Sequence, residues 1–305
     1  MANVSPSPDQ LRALVEIARS GGIAAAARVI GVSQQSLSGR IRSLEHAVGH
    51  SVLVRSTTGS SLTDAGVLIA SWAEDVLSAM DRLDEGVRSF TRDRPAHLRI
   101  AASQTIAEAL LPGWLLALRA EEEAAELPVT VVELVTGNST DVADRVRQGA
   151  ADLGFIESPL LPHDLHVIPV GTDELVAVVA PRHPWAARDT PIPLEDLART
   201  PLVVREKGSG TRDALEQFIT ERLGVRAAPP AVEFGTTAAT RSAIISGLAP
   251  GVLSRRLIRD DLILRRLTVV PVEGDPLIRI LHAVRPRNHF HTSTQRLIDR
   301  ARDQR

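Results

Sequence analysis

The chain has 305 residues, 44% hydrophobic and 24% charged, with a formal net charge of -2. That is the make-up of a globular protein of two or three domains, long enough to bury a core without covalent staples. It holds no cysteine, so disulfides, thiolate metal sites and a cysteine redox switch are excluded. With no run of 18 apolar residues, and with an opening "MANVSPSPDQ" that lacks basic and apolar signal regions, the expectation is a soluble cytoplasmic protein that engages no membrane.

Charge is spread unevenly. In residues 1–60, Arg12, Arg19, Arg28, Arg40, Arg42 and Arg55 outnumber Asp9, Glu16 and Glu45, a net of +3, whereas residues 61–95 carry a net of -3. A basic unit followed by an acidic one is compatible with DNA binding without demonstrating it. Lys207 is the one lysine among 35 basic residues, so nearly every cation is a planar guanidinium group.

In chain order, Leu11, Leu14, Val15, Ile17 and Ala18 recur at helical spacing and "SGG" at 20–22 stops that helix. "IAAAARVI" at 23–30 predicts a short helix ending at Gly31, and Ser33 suits the N-cap of the next. There Leu37, Ile41 and Leu44 form one apolar stripe while Gln34, Gln35, Ser38 and Arg42 point elsewhere. Two short helices about a tight turn predict a helix-turn-helix. "SVLVR", "STTGS" and "SLT" then read as a small hairpin, or wing. Thr63 caps a long helix whose apolar positions, Ala65, Leu68, Ile69, Trp72, Val76, Ala79, Met80, Leu83, Val87 and Phe90, run to about residue 92. Such a helix, about 42 Å long, must bury its stripe, and a second copy in coiled-coil fashion is the economical partner.

From residue 97, strands alternate with helices. "HLRIAAS" is a strand, followed by a helix over about 104–120; "PVTVVELV", "ADLGFIE", "LVAVVAP", "PLVVRE", "AVEFG", "APGVLSR", "LTVVPV" and "PLIRILHAV" are further strands, with helices among them and a helix at the end. That alternation predicts an α/β fold with mostly parallel sheets, and its length suits two lobes. Glu121, Glu122 and Glu123 read as one charged face with Arg119, and Asp260 and Asp261 as a solvated helix end. His289 and His291 fit a surface turn better than a zinc site.

The first ninety residues closely resemble the LysR-type transcriptional regulators. "AAAARVIGVSQQSLSGRIRSLE" is similar to that family's helix-turn-helix, with Ala26, Ala27, Ser33, Gln34, Leu37, Ser38, Ile41, Leu44 and Glu45 at the characteristic positions. Gly49, Leu53 and Arg55 match the start of its wing, and "LTDAG" at 62–66 the junction into its linker helix. "ASQTIAEALLP", "TGNSTDVADRVRQGAADLGFIE", "REKGSGTR" and "SAIISGLAPGVLS" extend the resemblance through the family's effector domain. It implies a winged helix-turn-helix at 6–63, a linker and dimerisation helix at 64–92, and an effector-binding domain at 96–305. The last would be two Rossmann-like lobes resembling periplasmic binding proteins, lobe one from 97–168 and 273–305 and lobe two from 169–272. Three departures stand out: Gln35 where the family often has proline, Gly39 where a long polar or basic residue is usual, and a wing tip, "TTGSS", without the common arginines.

For the DNA site, Gln34 and Gln35 lie on the first turn of the reading helix, and glutamine forms a bidentate pair with adenine. Ser33, Ser36 and Ser38 are short enough for phosphate or a base edge; Arg40 and Arg42 are phosphate or guanine candidates, and Arg55, in the wing, a phosphate candidate. A solvated helix face would carry the same residue types. For the effector site, Ser103, Gln104 and Thr105, Asn138 and Ser139, Ser209 and Thr211, and Thr236 stand at strand ends and helix starts, where an anion or carboxylate is held. Each could equally be a simple N-cap.

The expectation is a regulator, not an enzyme, controlled by a small anionic or carboxylate effector and needing no cofactor or metal. Its partners would be double-stranded promoter DNA, the effector, further copies of itself as a homodimer or homotetramer, and, as a further candidate, RNA polymerase. A cytoplasmic small-molecule binding protein, or an α/β enzyme with a helical dimerisation module, is the alternative.

Overall fold

The computed structural model describes residues 5–56, 59–88, 96–287 and 292–303, the side chains at 55, 56, 59, 78, 81, 82 and 84–88 excepted. The chain divides into two compact units, Met1–Phe90 and Thr91–Arg305.

In the first unit, α1 (Pro8–Ser20) begins with a capping box. Ser7 Oγ accepts from Gln10 N, and the Gln10 side chain accepts from Ser7 N at 2.7 Å. Then come α2 (Ile23–Ile30), α3 (Gln34–Val48), an antiparallel hairpin of β1 (Leu53–Ser56) and β2 (Gly59–Leu62), and α4 (Asp64–Arg88). The predicted stripe of α3, Leu37, Ile41 and Leu44, is buried together with Leu11, Leu14 and Ile17 of α1 and Ala26 and Ala27 of α2. Alanines make α2 thin enough to sit between its neighbours. Thr63 does cap α4, its Oγ1 accepting from Gly66 N at 2.9 Å. One face of α4 packs inward through Ala70 and Ala73. Residues 89–92 of the expected helix, including Phe90, lie outside the described residues.

The second unit runs β3 (His97–Ser103), α5 (Gln104–Ala109), α6 (Leu111–Ala124), β4 (Val131–Gly137), α7 (Ser139–Arg147), β5 (Leu153–Ile156), β6 (His166–Val179), α8 (Leu194–Arg199), β7 (Val203–Arg205), α9 (Gly210–Leu223), β8 (Val232–Phe234), α10 (Thr237–Ile245), β9 (Gly251–Ser254), α11 (Arg259–Ile263), β10 (Thr268–Val270), β11 (Leu277–Arg285) and α12 (Thr292–Asp303). The strands form one sheet in the order β4-β3-β5-β11-β6-β9-β7-β8, with β10 on β6. β4, β3 and β5 are mutually parallel, as are β9, β7 and β8. The long β6 and β11, antiparallel to each other, carry the sheet from one parallel group to the other. Each group with its helices is a lobe, and the expected boundary at 168/169 falls inside β6.

In each lobe helices cover both faces of the central strands, which are apolar on both sides, whereas the edge strand β4 is largely exposed. Along β6, Leu175, Ala177 and Val179 join the core beneath α8 and α9, while Val176 and Val178 join the core beneath α10. In lobe one, Trp114 and Phe155 pack at 5.0 Å between ring centroids beneath α6 and α12. Val142 and Val146 of α7 cover the opposite face.

Several expectations need correction. The helix expected over 104–120 is two helices: it breaks at Leu110, and Pro112 sits in the first turn of α6, because proline cannot donate within a helix but is tolerated at its start. β6 begins well before "LVAVVAP", and α8 and α11 went unread. Glu121, Glu122 and Glu123 do not share a face. Glu122 is buried and accepts from Thr130 N at 2.8 Å, Glu123 pairs with Arg119, and Glu121 with Arg300. Asp261 is buried, paired with Arg266 at 2.7 Å, rather than solvated. His289 and His291 lie outside the described residues.

Candidate functional site

The helix-turn-helix presents a sorted surface. Ser33 Oγ accepts from Ser36 N at 3.1 Å, so this hydroxyl caps α3 and fixes where its first turn begins. Gln34, Gln35, Ser36 and Arg42 are exposed and Ser38 is half-buried. At about 100° per residue, Gln34, Gln35, Ser38 and Arg42 fall within one roughly 100° sector beside the buried stripe. Arg40 lies about 160° round the helix from Arg42. It lines a groove of about 380 Å³ with Asp9, Arg12, Glu16, Arg19 and Glu74, and with Ser36, one turn before it, stands apart from Gln34, Gln35, Ser38 and Arg42. A Cβ at Gly39 would meet nothing within 4 Å; the position is open, and glycine there removes a side chain rather than relieving a clash.

The wing is tied to α3. Glu45 Oε1 accepts from Val52 N at 2.9 Å and from Leu53 N at 3.4 Å, and Ser60 Oγ in β2 accepts from Ile23 N at the start of α2. Arg55 pairs with Ser60 in the hairpin; its side chain lies outside the described residues.

The effector candidates separate into three groups. Ser103, Thr105, Ser139, Ser209 and Thr211 are all buried, the first three at the strand ends of lobe one and the last two at the start of α9 in lobe two. Asn138 and Thr236 are caps: Asn138 Oδ1 accepts from Asp141 N at 2.9 Å, and Thr236 Oγ1 from Ala239 N at 3.2 Å. Gln104 bonds the opposite lobe through both ends of its amide.

What gathers the buried hydroxyls is a charged cluster absent from the expectations. Arg279, in β11 where the strand passes between lobes, is 5% exposed. Its Nε and Nη2 donate to Asp173 Oδ2 at 2.9 and 2.7 Å. Nη1 donates to Thr211 Oγ1 at 3.0 Å and lies 3.3 Å from Glu157 Oε1, and Nη2 donates to Thr105 Oγ1 at 3.3 Å. Glu157, buried at the end of β5, also accepts from Ser103 Oγ, and its backbone N–H donates to Ser139 Oγ at 3.3 Å. Asp173 takes a further bond from Ser254 Oγ at 2.8 Å. Two buried carboxylates thus face the Arg279 guanidinium, with Arg256 Nε 3.7 Å from Asp173 Oδ1 as a second cation, and each is hydrogen-bonded, as a buried charge must be.

Gly210 lets the lobes approach. A Cβ there would stand 2.7 Å from the carbonyl carbon of Glu157 and 2.7 Å from Ser158 N, so only glycine fits between α9 and the end of β5. Ser158 Oγ donates to Asp213 Oδ2 at 3.1 Å from one lobe to the other, and burial pushes the Asp213 carboxyl above its ordinary range. In lobe two, the buried Arg205 donates to both oxygens of Glu206 at 2.8 Å and to Thr237 Oγ1.

Arg279 stands between two isoleucines in "PLIRILHAV", yet Leu277, Arg279 and Leu281 share the buried face, and Ile278 and Ile280 are more than half exposed. A buried charge between apolar residues at alternating positions was the available signal. Glu157 and Asp173, each directly after or within an apolar strand, carried the same one.

A three-helix reading head with a wing, joined by one chain to a two-lobed α/β unit with a buried polar cluster between its lobes, defines a DNA-binding regulator with a built-in ligand-binding domain. Residues 8–67 match the bacterial regulatory helix-turn-helix protein pattern of the lysR family, and residues 92–305 match the LysR substrate binding domain. The chain belongs to the LysR family of transcriptional regulators, which decides against the enzyme and the free-standing binding protein. An HTH-type transcriptional regulator of Mycobacterium tuberculosis is 42% identical over 270 residues, 88% of this chain and 86% of the relative. Among solved structures, full-length CbnR complexed with its target DNA superimposes with a TM-score of 0.73 at 18% identity, covering 98% of this chain and 100% of CbnR. The regulatory domain of Synechocystis CcmR in complex with 2-PG gives a TM-score of 0.58 at 25% identity, over 68% of this chain and 96% of that domain.

Proposed function

We propose that this regulator reads promoter DNA with the first turns of α3 and that its effector is a small polar anion or carboxylate held between the lobes. On the DNA, Gln34 and Gln35 read base edges, Ser38 and Arg42 hold register, and Arg55 meets phosphate from the wing. Arg40, and Ser36 one turn before it, lie on another side of α3 and outside this set. Because the regulator acts on the chromosome, its place of action is the cytoplasm; among the described residues no helix is long and apolar enough to cross a membrane. RNA polymerase is the further partner of such a promoter-bound protein.

The observation that carries the effector reading is the convergence of four buried hydroxyls, from Ser103, Thr105, Ser139 and Thr211, on Arg279 and Glu157. The 2-PG held by CcmR supports an anionic ligand. The local charge refines this. Arg279 is already faced by Asp173 and Glu157, so a ligand that brings an O–H or N–H donor beside its anionic group suits the cleft better than one with acceptors alone. Thermal shift of the full chain with inorganic phosphate, sulfate, 2-PG and small carboxylates tests this. Stabilisation by a donor-bearing anion is expected, about 2.7 kcal/mol at a hundred times Kd. It should vanish in Thr105→Val. Equal stabilisation of wild type and Thr105→Val would place the ligand elsewhere. The effector regulates only if it binds two arrangements of the protein unequally.

A further inference from the structure

Gln104 belongs to lobe one, as the first residue of α5, yet both ends of its amide are spent on lobe two. Nε2 donates to Gly235 O at 3.2 Å, and Oε1 accepts from Thr237 N at 2.7 Å. Its partners are backbone groups at the end of β8 and the start of α10. The first N–H groups of a helix have no acceptor within the helix. In α10 the Thr236 hydroxyl serves Ala239 N, and Gln104 serves Thr237 N. The helix is therefore capped twice, once from its own chain neighbour and once from across the cleft.

We propose that Gln104 is an interlobe clasp, a positioning residue that sets the angle between the lobes, and not an effector contact. A primary amide is the side chain suited to this. It offers a donor and an acceptor on one planar group, matched to a carbonyl and an N–H on a neighbouring turn. It carries no charge, so breaking the contact strands no buried ion. Each protein–protein bond replaces one to water, so two such bonds bias the lobe equilibrium by about tenfold rather than locking it. An effector of ordinary differential affinity can override a bias of that size. The contacts of Thr140 N with Gly208 O at 3.4 Å and of Ser158 with Asp213 join the lobes at other points, but among the described residues only Gln104 joins them through one side chain with both hydrogen-bonding roles engaged. The regulatory consequence rests on the effector reading above; the clasp itself does not.

Backbone hydrogen exchange of the full chain, resolved to single amides and measured without added ligand, tests the clasp in wild type, Gln104→Ala and Gln104→Glu. Thr237 N–H should exchange about threefold faster in Gln104→Ala, the loss of its acceptor. Gln104→Glu keeps an acceptor oxygen and should return most of that protection. The Ala239 amide, capped by Thr236, should be unchanged in all three. Equal exchange of Thr237 in wild type and Gln104→Ala overturns the proposal. So does parallel loss at Thr237 and Ala239 without rescue by glutamate, which would mean that α10 is merely loosened. Since no effector enters the measurement, failure of the thermal-shift screen and failure of the clasp are distinguishable.

Discussion

At the level of single residues, chemistry is divided by which face a side chain occupies. Gln34 and Arg42 stand on the same sector of α3 but do different work. Gln34→Ala should weaken binding to the operator by about 1–3 kcal/mol while leaving random DNA nearly unaffected. Arg42→Ala should weaken both alike and reduce the salt slope by about one. Gel shifts on the two DNAs over a salt series check this, and equal losses for Gln34→Ala would remove its base-reading role. His282, in β11, is 8% exposed, and its Nδ1 has no hydrogen-bond partner among the described residues. Burial holds its pKa below the ordinary 6.5. The unfolded chain therefore binds this proton first. The neutral form costs nothing above pH 6.5, and stability is lost as pH falls below it, by up to about 1.4 kcal/mol per pH unit. Urea titrations at pH 7.5, 6.5 and 5.5 should show a flatter dependence in His282→Leu than in wild type; coincident slopes would assign the effect to other groups.

Between elements, one atom decides whether the wing and the long helix fit together. Gly66, in the first turn of α4, would as alanine put its Cβ 2.1 Å from Val52 O. Helix backbone and the segment entering the wing are in direct contact there, and neither is a flexible side chain that can yield. This gives the glycine of "LTDAG" a packing reason. Gly66→Ala should cost about 1–3 kcal/mol, the range for overpacking, and should lower operator affinity because Val52 N is also held by Glu45 of the reading helix. An unchanged urea midpoint would show that α4 slides at no cost.

On the scale of the whole molecule, α4 has a second face. Leu68, Trp72, Val76 and Leu83 are between 47% and 65% exposed, at spacings that align them along one side of the helix, while Ala70 and Ala73 are spent on its own unit. An exposed apolar stripe of this length marks an interface, and a second copy of the chain is the occupant proposed. Trp72→Glu should raise the dimer dissociation constant by about 30-fold or more, the ~2 kcal/mol of an interface hot spot. Sedimentation should show monomer at concentrations where wild type is dimeric. An unaltered distribution would move the interface off this stripe.

The reading head was largely legible in the sequence, because it is built from local signals. Ser33 before an apolar stripe, alanines between two short helices and a capping threonine at 63 each act within a few residues. The alternation of strands and helices likewise fixed the class of the second unit, since helices must cover both faces of a parallel sheet. The cleft was legible only in part. Ser103, Thr105, Ser139, Ser209 and Thr211 announced themselves at strand ends and helix starts, but whether such a polar side chain caps a helix, as with Asn138 and Thr236, or joins the buried cluster depends on what lies opposite. The cluster of Arg279, Asp173 and Glu157 and the span of Gln104 were decided by the tertiary structure. Arg279 meets Thr105, Thr211 and Asp173 at separations of 174, 68 and 106 residues. Periodicity reports which face of a strand is apolar on average. It does not report that a strand crossing between two lobes leaves one face uncovered, where Ile278 and Ile280 stand, and seals the other around a charge.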